Sequence, residues 1–88
     1  MNHPQSNITA LRWKCRRGML ELDLLLAPFL ENEFTSLTED EQQLFIRLLE
    51  ESDQDLFNWL IQREIPSKPD SAQLINKILN YAKTGARH

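Results

Sequence analysis

Residues 16–23 read Arg-Arg-Gly-Met-Leu-Glu-Leu-Asp, and this stretch joins a short basic segment to a longer apolar one through a single glycine. Glycine readily adopts the left-handed backbone conformation in which many helices end. Arginine near the end of one helix and glutamate in the first turn of the next both complement the helix dipoles. The stretch therefore predicts a joint between two helices, with Gly18 at the turn.

The apolar residues on either side of this joint recur at helical spacing. A first helix is predicted to begin at a capping residue, Ser6 or Asn7, and to run to about Arg17. A second helix is predicted over about residues 20–34. Pro28 lies inside it and must either kink the helix or break it into two pieces, because proline has no amide hydrogen to donate to the preceding turn.

Capping signals predict the next two helices. Residues 38–41, Thr-Glu-Asp-Glu, have the spacing of a capping box, in which the threonine and the last glutamate each bond the other's backbone amide. This box opens a third helix that runs to about Glu51. Ser52 or Asp53 then caps a fourth helix.

A fifth helix is predicted to begin at Asp70 or Ser71 and to be ended by Gly85. Five short helices joined by brief connections form a compact all-α bundle. We therefore expect a single helical domain over residues 1–88, with an ordered core at about 7–84 and flexible termini. The apolar positions expected to face inward are Ile8, Leu11, Cys15, Leu22, Leu25, Leu26, Phe29, Leu30, Leu44, Phe45, Leu48, Leu49, Leu56, Phe57, Leu60, Ile61, Leu74, Ile75, Ile78, Leu79 and Ala82.

Composition excludes several classes of function. The chain has one cysteine, Cys15, so an internal disulfide is impossible, and no Cys/His cluster has metal-ligand spacing. The two histidines, His3 and His88, lie near the chain ends, where a catalytic geometry is hard to hold. The longest apolar run, residues 24–30, is far shorter than the roughly 20 residues that span a membrane. We expect no catalytic residue, no metal and no direct membrane insertion.

The charge is unevenly distributed along the chain, although the net charge is only −3. Residues 1–20 contain four arginines and lysines and no acid, whereas residues 21–64 contain twelve acids against two arginines. A basic first helix is compatible with a helical DNA-binding domain. The acidic remainder would repel a nucleic-acid backbone over an extended footprint, so we expect no nucleic-acid partner.

Residues 16–23, the five-helix pattern and residues 55–60, Asp-Leu-Phe-Asn-Trp-Leu, together resemble the bacterial succinate dehydrogenase assembly factor family. These are flavinylation factors related to mitochondrial succinate dehydrogenase assembly factor 2, and the resemblance covers about residues 10–83. Members promote covalent attachment of FAD to the flavoprotein subunit of succinate dehydrogenase, and in some bacteria of fumarate reductase. The resemblance implies an assembly chaperone in the bacterial cytoplasm and not an enzyme. We expect it to be a monomer before it binds its client.

The resemblance also implies a partner-binding surface whose centre is the frame Arg17-Gly18-x-x-Glu21. The residues that it assigns to this surface at and after the joint are Arg16, Arg17, Gly18, Met19, Glu21 and Asp23. Leu20 stands where many relatives have a basic residue, which alters the charge of the face and leaves the frame intact. Glu21 and Asp23 do not form an acid/base pair, because helical residues two apart point to different sides.

Aromatic residues and the single cysteine complete the set of candidates. Trp59 follows an apolar pair on a short helix and is expected to pack in the core. Trp13 lies one turn before Arg17. The sequence favours contact with a partner and packing in the core equally for this residue. Cys15 is expected to be a small core residue.

The family resemblance carries one alternative function. An antitoxin or regulatory role, in which the protein opposes a small membrane-associated toxin, was once assigned to this family. In the chaperone hypothesis, the apolar faces of the five helices pack together and leave little room for a buried cofactor. The sequence also has no glycine-rich phosphate-binding loop. We therefore expect no stably bound cofactor, and the protein would act on FAD attachment in its partner.

Overall fold

The computed structural model describes residues 8–84, which form five α-helices. In chain order the helices are α1 (Ile8–Cys15), α2 (Leu20–Glu33), α3 (Glu39–Leu48), α4 (Asp53–Leu60) and α5 (Pro69–Thr84), and a short 3-10 helix (Phe34–Ser36) follows α2. No strand occurs in this part of the chain, so the prediction of an all-α bundle is confirmed. The predicted caps at positions 6 and 7, the predicted stop at Gly85 and the termini lie outside the described residues.

The core is built around aromatic rings where α2, α3 and α5 meet. The rings of Phe34 and Phe29 lie 5.8 Å and 5.6 Å from that of Phe45, measured between centroids, and Tyr81 meets Phe29 edge-on at 5.9 Å. α2 packs against both α1 and α5, and α3 packs against α5. The buried polar side chain Gln42 donates a hydrogen bond of 2.9 Å to the carbonyl oxygen of Phe34, so its amide is not left without a partner.

α1 ends at Cys15, two residues before the predicted end at Arg17. The amide of Arg16 donates to the carbonyl of Trp13 at 3.1 Å, which is a tighter turn than that of an α-helix. The amide of Arg17 donates to the Asp23 carboxylate at 2.9 Å. Because a side chain of α2 takes this amide, the α-helical hydrogen-bond pattern stops.

α2 runs unbroken through Pro28, so of the two predicted outcomes the break into two pieces is wrong. α3 ends at Leu48, three residues before the predicted end at Glu51. The amides of Glu50 and Glu51 bond carbonyls three residues back, each at 3.0 Å, and this tight turn closes the helix.

The other helix starts follow local capping chemistry. The capping box is confirmed: the Thr38 amide donates to the Glu41 carboxylate at 3.0 Å, and the Glu41 amide donates to the Thr38 hydroxyl at 3.1 Å. Of the two predicted caps of α4, Ser52 performs the role, accepting from the Asp55 amide at 3.1 Å. α5 begins at Pro69, one residue before the first predicted start, because the fixed φ of proline suits the first helical position.

Candidate functional site: the joint between α1 and α2

Gly18 turns the chain between α1 and α2. Its φ is +80°, as the sequence predicts for this position, and the residue is exposed. A Cβ atom built on Gly18 would have no heavy atom within 4 Å. The need for glycine within this chain therefore comes from the backbone conformation and not from crowding by neighbouring residues.

Arg17 makes most of its contacts inside the protein, and only 14% of its side chain is exposed. Its Nε donates to the Asp53 carboxylate at 2.7 Å. One terminal nitrogen donates to the carbonyls of Leu49 at 2.8 Å and Lys14 at 2.9 Å, and the other donates to the carbonyl of Glu51 at 2.7 Å. We call this arrangement the Arg17 clamp, because it joins the end of α1 to the α3–α4 connection.

The chemistry of the clamp requires the planar guanidinium of arginine. The fork of N–H donors reaches a carboxylate and three carbonyl oxygens at once, which the single ammonium of lysine cannot do with the same geometry. Two of those carbonyls, at positions 49 and 51, lie just past the end of α3, where the helix dipole favours a cation. Arg17 thus fixes the position of the joint on the rest of the bundle.

The two acidic residues of the predicted surface face different surroundings. The Asp23 carboxylate accepts the Arg17 amide across the joint, so Asp23 holds the turn closed. Glu21 is exposed, and within the described chain it forms no hydrogen bond or ion pair. Met19, at the position just before α2, is half-buried and packs against the core. Of these three side chains, only that of Glu21 is wholly available to a partner.

Trp13 is 67% exposed, so the core-packing alternative for this residue is wrong. α1 turns Leu11 and Cys15 inward, and Trp13 lies on the opposite face. The guanidinium carbon of Arg16 lies 5.5 Å from the centre of the Trp13 ring, a cation–π distance. Trp59 packs against the core, as predicted.

Ion pairs neutralise most of the basic residues of the first helix. Arg12 pairs with Glu31, and Lys14 pairs with Glu50 at 2.7 Å. In the clamp, Arg17 pairs with Asp53. The hydrogen bonds from these basic partners lower the pKa of both glutamates. Within residues 8–84, Arg16 is the one basic residue of this segment without an ion pair. The basic patch that the sequence suggested is therefore largely compensated inside the protein.

Cys15 is a core residue, as predicted, with no exposed surface. Burial raises the pKa of its thiol to about 12, so the group is protonated at neutral pH and does not act as a nucleophile. Among the described residues no group of His, Cys, Asp and Glu side chains could hold a metal ion. In the same part of the chain, no helix combines the length and the apolar character needed to cross a membrane.

A cleft of about 550 Å³ lies between the end of α3 and the α4–α5 connection. Its lining includes Leu48, Trp59 and Pro66 together with the charged residues Arg47 and Asp70. None of the residues predicted to bind a partner lines this cleft. The candidate site is therefore the surface of the joint and not a cavity.

Comparison with known proteins places the joint inside a family match. A family model described as the flavinator of succinate dehydrogenase matches residues 9–82. A protein of Yersinia pseudotuberculosis is 47% identical over 77 residues, which are 88% of either chain. One of Coxiella burnetii is 45% identical over 78 residues, covering 89% of this chain and 94% of its own. One of Shewanella oneidensis is 44% identical over 76 residues, covering 86% and 93%.

All three relatives carry the name FAD assembly factor SdhE. The matched segment includes the joint, most or all of every helix and the whole aromatic core. The resemblance noted in the sequence is confirmed on this basis. The chain belongs to the family of succinate dehydrogenase flavinators.

Proposed function

We propose that this protein binds the flavoprotein subunit of succinate dehydrogenase and promotes covalent attachment of FAD to it. The observation that carries the proposal is the family match over residues 9–82. Its relatives are bacterial proteins named as FAD assembly factors. We place the activity in the bacterial cytoplasm, with the flavoprotein of fumarate reductase as a second client and with a monomer as the form that meets the client.

The joint supports this proposal because it offers chemically distinct groups to a partner. Arg16 and Glu21 are exposed charges of opposite sign without an internal ion pair in the described chain. Gly18 lies between them with open space above it, so the backbone of a partner can approach closely. In this proposal Trp13 adds an exposed aromatic contact, since aromatic residues are common anchors of interfaces.

The remaining residues of the predicted surface contact the rest of the bundle and hold the joint in place. Arg17 and Asp23 bond the chain's own groups and hold the turn on the bundle, while Met19 packs partly into the core. We therefore propose that Arg17 and Asp23 are positioning residues, and that their substitution weakens client binding by moving the joint. In this proposal the client directly contacts Trp13 and residues 16, 18 and 21.

In the proposed mechanism the flavoprotein supplies the attachment chemistry and this protein does not act as an enzyme. By binding one conformation of the flavoprotein more tightly than others, it would raise the population of the form in which attachment proceeds. We propose that free FAD is not bound stably, since the helices fill the interior with their own side chains. Calorimetric titration tests this point, and a dissociation constant at or below the micromolar range would overturn it.

The proposal is tested by reconstitution with purified flavoprotein that lacks covalent flavin. The flavoprotein is incubated with FAD, with or without this protein, and covalent flavin is measured by in-gel fluorescence. We expect the protein to increase covalent flavin, and Glu21→Gln to reduce that increase because it removes an exposed charge from the joint. Glu64→Gln is the matched control, since Glu64 is an exposed glutamate in the α4–α5 connection. Equal covalent flavin with and without the protein would refute the proposed function.

A further inference from the structure

Exposed apolar side chains are concentrated beside the joint. Within residues 8–84, four large apolar side chains are exposed, and three of them lie on the two helices that flank the joint. These are Trp13 on α1, at 67% exposure, and Leu20 and Leu24 on α2, at 68% and 64%. The fourth, Ile65, lies in the connection between α4 and α5. Such a concentration on one part of a small domain is typical of an interaction surface.

Leu20 and Leu24 form a single apolar surface, which we call the apolar step. They are four residues apart on α2, so their side chains lie next to each other on one face. The core face of the same helix is formed by other residues, among them Leu22 and Leu26, which have no exposed surface. The two leucines of the step therefore add little to the stability of the bundle, and their burial requires another molecule.

On the other side of the joint, an exposed aromatic ring carries a cation. α1 runs antiparallel to α2, because Arg12 pairs with Glu31 while Cys15, further along α1, lies against the carbonyl of Leu26, earlier on α2. On the outer face of α1, Trp13 carries the guanidinium of Arg16 over its ring. The neighbouring cations of α1 are neutralised internally, so the charge of Arg16 is the one left for a partner.

We infer that the apolar step is the apolar part of the flavoprotein-binding surface, and that the flavoprotein meets it with apolar side chains beside a carboxylate that faces Arg16. This inference rests on the proposed function. We infer the flavoprotein as the partner because the step is continuous with the proposed binding surface: Leu20 begins α2 and lies between Met19 and Glu21 of the joint. The chemistry of this partner also follows from charge, because an exposed arginine without an internal ion pair in the described chain, lying over an exposed aromatic ring, favours an acidic group on the partner.

The test measures the affinity of the purified flavoprotein for Leu20→Gln, Leu24→Gln and the double variant. Glutamine has nearly the helix propensity of leucine, so the fold should be kept, as circular dichroism and thermal melting will show. Each change is expected to weaken binding about tenfold, and the double change about a hundredfold. The matched control, Ile65→Gln, removes an even more exposed apolar side chain, in the α4–α5 connection, and should bind as the wild type does.

The salt dependence of the affinity distinguishes the apolar part of the surface from the charged part. The losses caused by the leucine changes should persist at high salt, whereas Arg16→Gln should weaken binding mainly at low salt. If the wild type binds the flavoprotein and both leucine variants bind equally well, the inference is wrong and the proposed function stands. If the double variant changes only the self-association of the isolated protein, seen by sedimentation, the step serves a second copy and the inference is again wrong. If the wild type does not bind at all, both proposals fail.

Discussion

Replacing Arg17 with alanine removes the clamp that holds the joint on the bundle. The guanidinium makes three hydrogen bonds to carbonyl oxygens at 2.7–2.9 Å, besides the ion pair with Asp53. We count about 1 kcal/mol for each carbonyl bond, the typical net value for hydrogen bonds in proteins. The ion pair adds little, because the Asp53 side chain is 45% exposed. The expected loss is about 3 kcal/mol, which is a large part of the roughly 4–13 kcal/mol by which a domain of this size is stable.

Urea denaturation followed by far-ultraviolet circular dichroism measures this loss. Arg17→Lys keeps the charge but not the fork of donors, and we expect it to lose about 2 kcal/mol of the free energy of unfolding. Arg12→Ala is the control, because it removes an exposed ion pair of the neighbouring helix α1, and its unfolding midpoint should change little. The reasoning is wrong if Arg17→Ala is no less stable than Arg12→Ala, or if Arg17→Lys is as stable as the wild type.

Three further substitutions test other parts of the structure. Gly18→Asn should lose less than about 1 kcal/mol, since asparagine tolerates a positive φ and meets open space, yet it should bind the flavoprotein weakly; full binding by the folded variant would remove Gly18 from the surface. Thr38→Ala should lose about 1 kcal/mol in urea denaturation, because the capping box loses its acceptor; an unchanged midpoint would contradict this. The Cys15 thiol has a pKa of about 12 when folded, above its ordinary value of 9.0. Its contribution to stability should thus be complete below pH 9 and be lost as pH rises from 9 to 12, and Cys15→Ala should lack this part of the alkaline decline.

Local patterns predicted most of the fold. The apolar periodicity placed all five helices, and the capping box at residues 38–41 is present as predicted. The two helix ends that differ most from prediction, those of α1 and α3, both lie at the Arg17 clamp. The partners of the clamp in the α3–α4 connection and at the start of α4 are 32 to 36 positions away from Arg17 in sequence. Contacts at that separation leave no periodic or capping signal.

The candidate site was predictable where it depends on the local backbone. The positive φ of Gly18 follows from its place in the turn, and its φ of +80° in the structure agrees. The role of Arg17 was not predictable, because an arginine near a helix end satisfies the same local rule whether it faces a partner or a neighbouring helix. The exposed position of Leu24 agrees with the sequence analysis, which left Leu24 out of the positions expected to face inward.

The clamp also has a consequence for the lifetime of the folded protein. Two of the three carbonyls that receive the Arg17 guanidinium, at positions 49 and 51, lie just past the end of α3, so those two bonds can close only once that segment is formed. Interactions that form after the folding transition state slow unfolding without speeding folding. These two bonds, at about 1 kcal/mol each, would lengthen the time between spontaneous openings of the joint about thirtyfold. Arg17 would then determine how long the joint stays assembled between encounters with a client.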